Sequence, residues 1–167
     1  MSARLNFVRQ QGFADATAQS CGVQFGALVF QPRAMLVLAV LGLLLETGWY
    51  FVGLGLVLLW GALVPRWNVF DLAYAWLVSR RRGLPPPMPA PAPRRFAQFL
   101  AGLFALGSGL AALAGHHHLA WRLLGLLFLA IAGIVFARFC MGSYLFHLVT
   151  GRAAYAHRTM PWSREES

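Results

Sequence analysis

Two long stretches of apolar residues constrain this fold more than any other feature of the sequence. Residues 34–64 contain Glu46 as their single charged side chain, and a second apolar region runs from residue 95 to residue 149. Only 11% of the 167 residues are charged and 59% are hydrophobic, whereas soluble domains average about 25% charged and about 45–50% apolar residues. Because lipid favours this departure from both averages, the sequence predicts an all-α integral membrane protein.

Both apolar regions have a length that predicts a pair of helices. A membrane span takes about 20 residues, and the polar residues 46–48, which end in glycine, predict a helix end. Residues 34–64 therefore form either two short helices, 33–46 and 49–65, or one long tilted helix, and we favour the two. The second region predicts one span from 95 to 115 and another from 119 onward. A stripe of small residues on the third span predicts close helix packing: Ala97, Ala101, Ala105, Ser108 and Ala112.

The predicted organisation is a single domain with four transmembrane helices in two hairpins, residues 33–65 and 95–150. The remaining segments are a cytoplasmic N-terminal segment with an amphipathic helix (1–30), an interfacial helix (68–79), a proline-rich cytoplasmic linker (80–94) and a cytoplasmic tail (151–167). In the interfacial helix, Asn68 has the position of an N-cap, and Asp71 has the position of the acid in a capping box.

The arginines predict how the chain is oriented. All fourteen basic residues are arginine, and thirteen fall on one side of the predicted spans, with Arg122 as the exception. Positive charge marks the cytoplasmic side, so we expect both termini on the cytoplasmic side of the membrane. The net charge of +9 then predicts contact with anionic lipid headgroups. It does not indicate nucleic-acid binding, which needs basic residues clustered on one exposed face.

The densest group of reactive side chains lies in residues 137–147, ARFCMGSYLFH. On one continuous helix, Cys140, Ser143, Tyr144 and His147 would share a sector about 100° wide, with Arg138 on nearly the opposite side. These five residues form the candidate thiol site, centred on Cys140. The alternative is that the cysteine is a small buried side chain that only packs against its neighbours.

Other candidate groups are weaker. Cys21 is predicted on the same side of the membrane and is a candidate redox partner of the thiol site. Three consecutive histidines are weak candidates for metal ligands, but neighbouring side chains on a turn diverge, which favours a solvated outer loop; they are His116, His117 and His118. Phosphate-loop, dinucleotide, zinc-protease and serine-nucleophile motifs do not occur. The sequence therefore predicts no cofactor, assigns no catalytic residue and leans against an enzyme.

Four motifs give the chain a resemblance to a small bacterial inner-membrane family catalogued as a domain of unknown function. They are RQQGF (9–13), PRWNVFDLAYAWLV (65–78), RRFAQ (94–98) and RFCMGSYLFHLV (138–149). In that family the last motif reads Cys-x-Gly followed by serine or cysteine, and Ser143 here excludes the dithiol that a second cysteine would form. Relatives resemble proteins encoded near thioredoxin-like and thiosulfate sulfurtransferase proteins, which implies a role in thiol or sulfur metabolism and a partner of that kind.

Three functional hypotheses follow. The preferred one is an accessory membrane protein that handles a thiol, sulfane sulfur or a small anion at the cytoplasmic membrane edge. The first alternative is a small permease; four short spans enclose little volume, so it would transport as an oligomer, with a homodimer as the simplest form. The second alternative is a structural subunit of a larger membrane complex.

Overall fold

The computed structural model describes residues 3–15 and 18–163, without the side chains of residues 18–21 and 23. Within these residues the chain is all-α and contains no strand. The α-helices are α1 (Ala3–Gln10), α2 (Ala18–Leu45), α3 (Gly48–Leu63), α4 (Val69–Tyr74), α5 (Ala92–Leu113), α6 (His117–Ala137), α7 (Met141–Val149) and α8 (Ala153–Arg158). The all-α class predicted from the sequence is therefore confirmed.

In the described part of the chain, three helices are long and apolar enough to cross a membrane: the segment Gln24–Leu45 of α2, the whole of α5 and the whole of α6. Helix α3 is apolar but has only 16 residues, which corresponds to about 24 Å at 1.5 Å per residue against a hydrocarbon core of about 30 Å. The chain turns at Glu46 and Thr47 between α2 and α3, where the sequence predicts a break.

Helix α5 is the central element of the bundle and packs against α3, α6 and α7, while α2 packs against α6 and α1. Glycine allows α3 and α5 to approach closely, because a Cβ atom at Gly55 would lie 2.5 Å from the backbone nitrogen of Leu106. Within the predicted small-residue stripe, Ala105 and Ser108 are fully buried. The Ser108 hydroxyl donates to the Ala120 carbonyl at 3.0 Å and so links α5 to α6.

The last apolar segment is not one continuous helix, so that expectation is wrong. Helix α6 ends at Ala137, and α7 begins at Met141. Arg138 between them has a φ of 54°, in the left-handed region, which residues other than glycine rarely adopt. Because a side chain other than glycine stops this helix, the end could not be recognised from the usual glycine signal.

The predicted interfacial helix consists of several short turns. A 3₁₀ turn (Pro65–Trp67) precedes α4, and a π turn (Ala75–Ser79) and a second 3₁₀ turn (Arg80–Arg82) follow it. The Asn68 side chain accepts a hydrogen bond from the Phe70 amide at 3.1 Å, so it caps α4 as predicted. Asp71 does not complete a capping box, because its carboxylate pairs with an arginine on α5.

Candidate functional site

Three of the five residues proposed for the thiol site lie together and are buried. Cys140 precedes α7, and Ser143 and His147 follow on one face of that helix with exposed fractions of 2%, 0% and 2%. The Ser143 hydroxyl lies 3.4 Å from the Cys140 sulfur, within hydrogen-bond distance. The thiol is free and its sulfur is held by the turn that starts α7.

Helix α1 and the turn that follows it cover this face with two consecutive glutamines. The Gln10 side-chain oxygen accepts from the Cys140 amide at 2.9 Å, and the Gln11 side-chain oxygen accepts from the Ser143 hydroxyl at 3.2 Å. His147 Nε2 lies 3.0 Å from the Gln10 carbonyl oxygen. A carbonyl oxygen only accepts, so Nε2 donates and carries the proton. The motifs RQQGF and RFCMGSYLFHLV are thus bonded to each other.

Tyr144 and Arg138, the other two predicted site residues, have different neighbours. The Tyr144 ring packs on Phe139 at 5.5 Å between centroids and on His157 at 5.9 Å. The Arg138 guanidinium lies over the Phe25 ring, 5.7 Å from its centroid. Neither residue shares the hydrogen bonds that join the Cys140 amide, the Ser143 hydroxyl and the His147 imidazole to Gln10 and Gln11.

A second polar cluster joins the motifs RRFAQ and PRWNVFDLAYAWLV. Arg94 Nη2 donates to Asp71 Oδ1 at 2.5 Å and to Gln31 Oε1 at 2.8 Å. Asn68 Nδ2 donates to Gln98 Oε1 at 3.0 Å, and Gln98 Nε2 donates to the Leu58 carbonyl. Helix α5 is therefore tied to α2, α3 and α4 by hydrogen bonds from buried polar side chains.

A cavity of about 90 Å³ lies between the two polar clusters. Apolar side chains from five helices form most of its wall, as is usual for a small-molecule site. Its polar lining is contributed by both clusters: Gln11, Gln31, Arg94, Gln98 and Cys140. Cys140 is thus almost inaccessible from the surface but lines a cavity that Arg94 also lines.

Helix α8 closes the far side of the thiol cluster. The Tyr155 hydroxyl donates to the Arg9 carbonyl at 2.9 Å, and its ring packs on the His147 ring at 4.9 Å between centroids. Burial raises the pKa of Tyr155 above its ordinary value, and the positive charge of Arg9 partly opposes this shift. The phenol is therefore neutral in the folded protein up to a higher pH than in the unfolded chain.

The remaining predicted site residues do not join this arrangement. His116 precedes α6, and His117 and His118 lie in its first turn; all three are exposed and border a wide surface depression with Arg122. Among the residues that the structure describes, no group of three or more histidine, cysteine or acidic side chains could hold a metal ion. The side chain of Cys21 lies outside the described part, so its approach to Cys140 stays a prediction.

Sequence reasoning missed the residues that connect the two clusters. Arg94 was counted only as a charge that orients the chain, and Asp71 only as a helix cap. Gln31 and Gln98 had a usable signal, because polar side chains within apolar helices of a membrane protein are costly and mark functional positions. The pairing of four separate motifs in space could not be found from their order along the chain.

Comparison with known proteins identifies a family for most of the chain. The family model described as Domain of unknown function (DUF4395) matches residues 22–150, more than three quarters of the chain. The matched range includes Asp71, Arg94 and Cys140, whereas Gln10 and Gln11 precede it. Neither a curated protein nor a solved structure matches the chain. By the extent of this match, the chain belongs to the DUF4395 family.

Proposed function

We propose that this protein is a bacterial inner-membrane protein that binds a small thiol or sulfane-sulfur compound in the internal cavity, with Cys140 as the contacting group. The observation that carries the proposal is the position of the thiol, which is 2% exposed and yet borders a cavity that Arg94 also lines. A buried cysteine that only packs needs neither an adjoining cavity nor a neighbouring cation.

The proposed membrane topology has four spans, with α3 as the short one beside α2, α5 and α6. A span shorter than the hydrocarbon core is tolerated through local thinning of the bilayer, and exposed tryptophans flank α3 at both ends, Trp49 and Trp67, as interfacial anchors do. Both termini then lie on the arginine-rich side, which is the cytoplasm. The cavity lies at this end, because α5 begins and α6 ends beside it.

The chemistry proposed for Cys140 is the exchange of one sulfane sulfur atom. The sulfur of Cys140 attacks the outer sulfur of a bound hydropersulfide, R–S–SH, and a new S–S bond forms between the two sulfur atoms as the S–S bond of the hydropersulfide breaks. The departing R–S⁻ takes up the proton that Cys140 loses, so Cys–SH and R–S–SH become Cys–S–SH and R–SH without net oxidation. The hydrogen bond from the Cys140 amide to Gln10 and the contact of the Cys140 sulfur with the Ser143 hydroxyl hold this residue in place. A thioredoxin-like or sulfurtransferase partner is the proposed acceptor.

Mass spectrometry of the purified full-length chain tests this proposal. After incubation with glutathione hydropersulfide, we expect one additional sulfur atom on the peptide that contains Cys140. Cys21→Ala is the matched control, because it removes the other thiol and should leave the modification unchanged, whereas Cys140→Ala should abolish it. An unmodified Cys140 in folded protein, with Cys21 modified under the same conditions, would contradict the proposal.

A further inference from the structure

In the buried ion pair between Arg94 and Asp71, some hydrogen-bond donors of the arginine have no described acceptor. Arg94 is 5% exposed, and both of its described hydrogen bonds start from Nη2. A guanidinium has five N–H donors, so the donors on Nε and Nη1 take part in none of the described hydrogen bonds. Arginine and a carboxylate commonly form two parallel hydrogen bonds, but here only one joins them.

The carboxylate is also incompletely paired. Asp71 Oδ1 accepts from Arg94, while Oδ2 is buried and has no partner among the described residues. A buried carboxylate oxygen without a hydrogen bond is costly, and such groups in a native structure call for an explanation. The pair therefore has the geometry of a contact that another anion could replace.

The neighbouring side chains add donors but no free acceptor. Gln31 must turn its oxygen toward Arg94, because arginine cannot accept, and its amide NH₂ makes none of the described hydrogen bonds. Gln11 accepts from Ser143 through its oxygen, and its NH₂ likewise has no described partner. The cavity wall therefore contains side-chain N–H groups without a described acceptor. These donors favour an anion over a cation, and over a neutral ligand with few acceptor atoms.

We infer that Arg94 is the binding site for a small oxyanion, and that Asp71 occupies this site when the ligand is absent. The guanidinium fork matches the spacing of oxygens in carboxylate, sulfate and phosphate groups. This inference rests on the proposed function for the choice of cavity, and it assigns the ligand a negatively charged end that lies at Arg94 while its sulfur lies at Cys140.

Replacement of Asp71 by an anion at Arg94 couples ligand binding to the segment that follows α3. Asp71 belongs to α4, so an anion that takes its place at Arg94 removes one of the ties between α4 and α5. The hydrogen bond between Asn68 and Gln98 is separate from this pair and keeps the start of α4 in position. We therefore expect the anion to loosen residues 70–79 without releasing the whole segment.

Thermal unfolding of the full-length protein in detergent tests the site, with sodium sulfate and sodium nitrate as probes against sodium chloride at equal ionic strength. We expect a saturable rise in melting temperature with sulfate. Arg94→Lys keeps the charge but loses the fork, and should weaken sulfate binding by about tenfold or more. Arg95→Lys is the matched control, because Arg95 lies on the same helix, donates to the Ala62 carbonyl and does not line the cavity.

Two further measurements separate this site from the thiol chemistry. Asp71→Asn removes the competing charge and should bind sulfate about tenfold or more tightly, and sulfate should speed hydrogen exchange in residues 70–79 of the native chain. Cys140→Ala should bind sulfate normally. Equal sulfate binding by Arg94→Lys and the native chain, or weaker binding by Asp71→Asn, would overturn the inference. If the chain binds sulfate but its Cys140 accepts no sulfur atom, the anion site is supported and only the proposed function is contradicted.

Discussion

Removing either partner of the Arg94–Asp71 pair should destabilise the protein more than removing both. The two side chains are only 6% and 12% exposed, so water screens their charges poorly. Losing one partner of a buried pair costs about 3–5 kcal/mol, because the other charge stays buried and unpaired. We expect Arg94→Met and Asp71→Asn each to lower the free energy of unfolding by about this amount.

The double variant Arg94→Met/Asp71→Asn contains no uncompensated charge at this position. Its main loss is the hydrogen bond between Arg94 and Gln31, which has a length of 2.8 Å, together with some packing, so we expect a cost of about 1–2 kcal/mol. The double-mutant cycle should then give a coupling energy of several kcal/mol between the two residues, well above the value for exposed ion pairs.

Titration with sodium dodecyl sulfate in mixed micelles, followed by tryptophan fluorescence, measures these free energies of unfolding. Arg95→Met is the matched control, since its partner is the Ala62 carbonyl and not a carboxylate, and it should cost about 1 kcal/mol. Single effects that add up in the double variant, or single costs below about 1 kcal/mol as for exposed pairs, would refute the interpretation of Arg94–Asp71 as a tightly coupled buried pair.

Three other predictions test separate contacts. Gly142→Ala places a Cβ atom 2.6 Å from Ala97 and should lower the free energy of unfolding by about 1–3 kcal/mol. Gly53→Ala is the control: Gly53 has open space around it, so this change should be neutral or stabilising in the same unfolding assay. Gln10→Ala leaves the buried Cys140 amide without its acceptor and should cost about 1–3 kcal/mol and speed exchange of that amide. The pKa of Tyr155 is raised in the folded state, so melting temperatures should fall as pH rises above about 10, and less so in Tyr155→Phe.

The helices could be predicted from the sequence because lipid selects long apolar segments. The long apolar runs identify α2, α5 and α6, and the polar residues 46–48 coincide with the turn that separates α2 from α3. The end of α6 was missed, because Arg138 adopts a left-handed conformation that sequence patterns reserve for glycine. As a result, the helical wheel that placed Arg138 opposite Cys140 assumed a helix that does not continue between these two residues.

Only part of the thiol cluster could be predicted, because its members lie far apart along the chain. Local spacing identified Cys140, Ser143 and His147, which lie within eight residues of one another. Their hydrogen-bond partners, Gln10 and Gln11, precede Cys140 by about 130 residues. Nothing in a local pattern specifies contacts of this length, because they form only when α1 packs on the bundle.

The ion pair was missed for a related reason. Arginines at the ends of apolar runs usually orient a membrane protein, and this rule gave Arg94 the same meaning as the exposed arginines at 80–82. Its burial depends on Asp71, which a helix-cap pattern explained equally well. Only the approach of α4 to α5 brings the two charges together beside the cavity.

Access of small reagents to Cys140 in the folded protein is the most direct test of a thiol that borders a ligand cavity. The Cys21→Ala chain in liposomes would be treated with methyl methanethiosulfonate or with a maleimide attached to a polyethylene glycol chain. We predict that the small reagent modifies Cys140 much faster than the protein unfolds, that sulfate slows this reaction, and that the large reagent does not react. Modification by both reagents only at the rate of unfolding would show that the thiol is simply packed in the core.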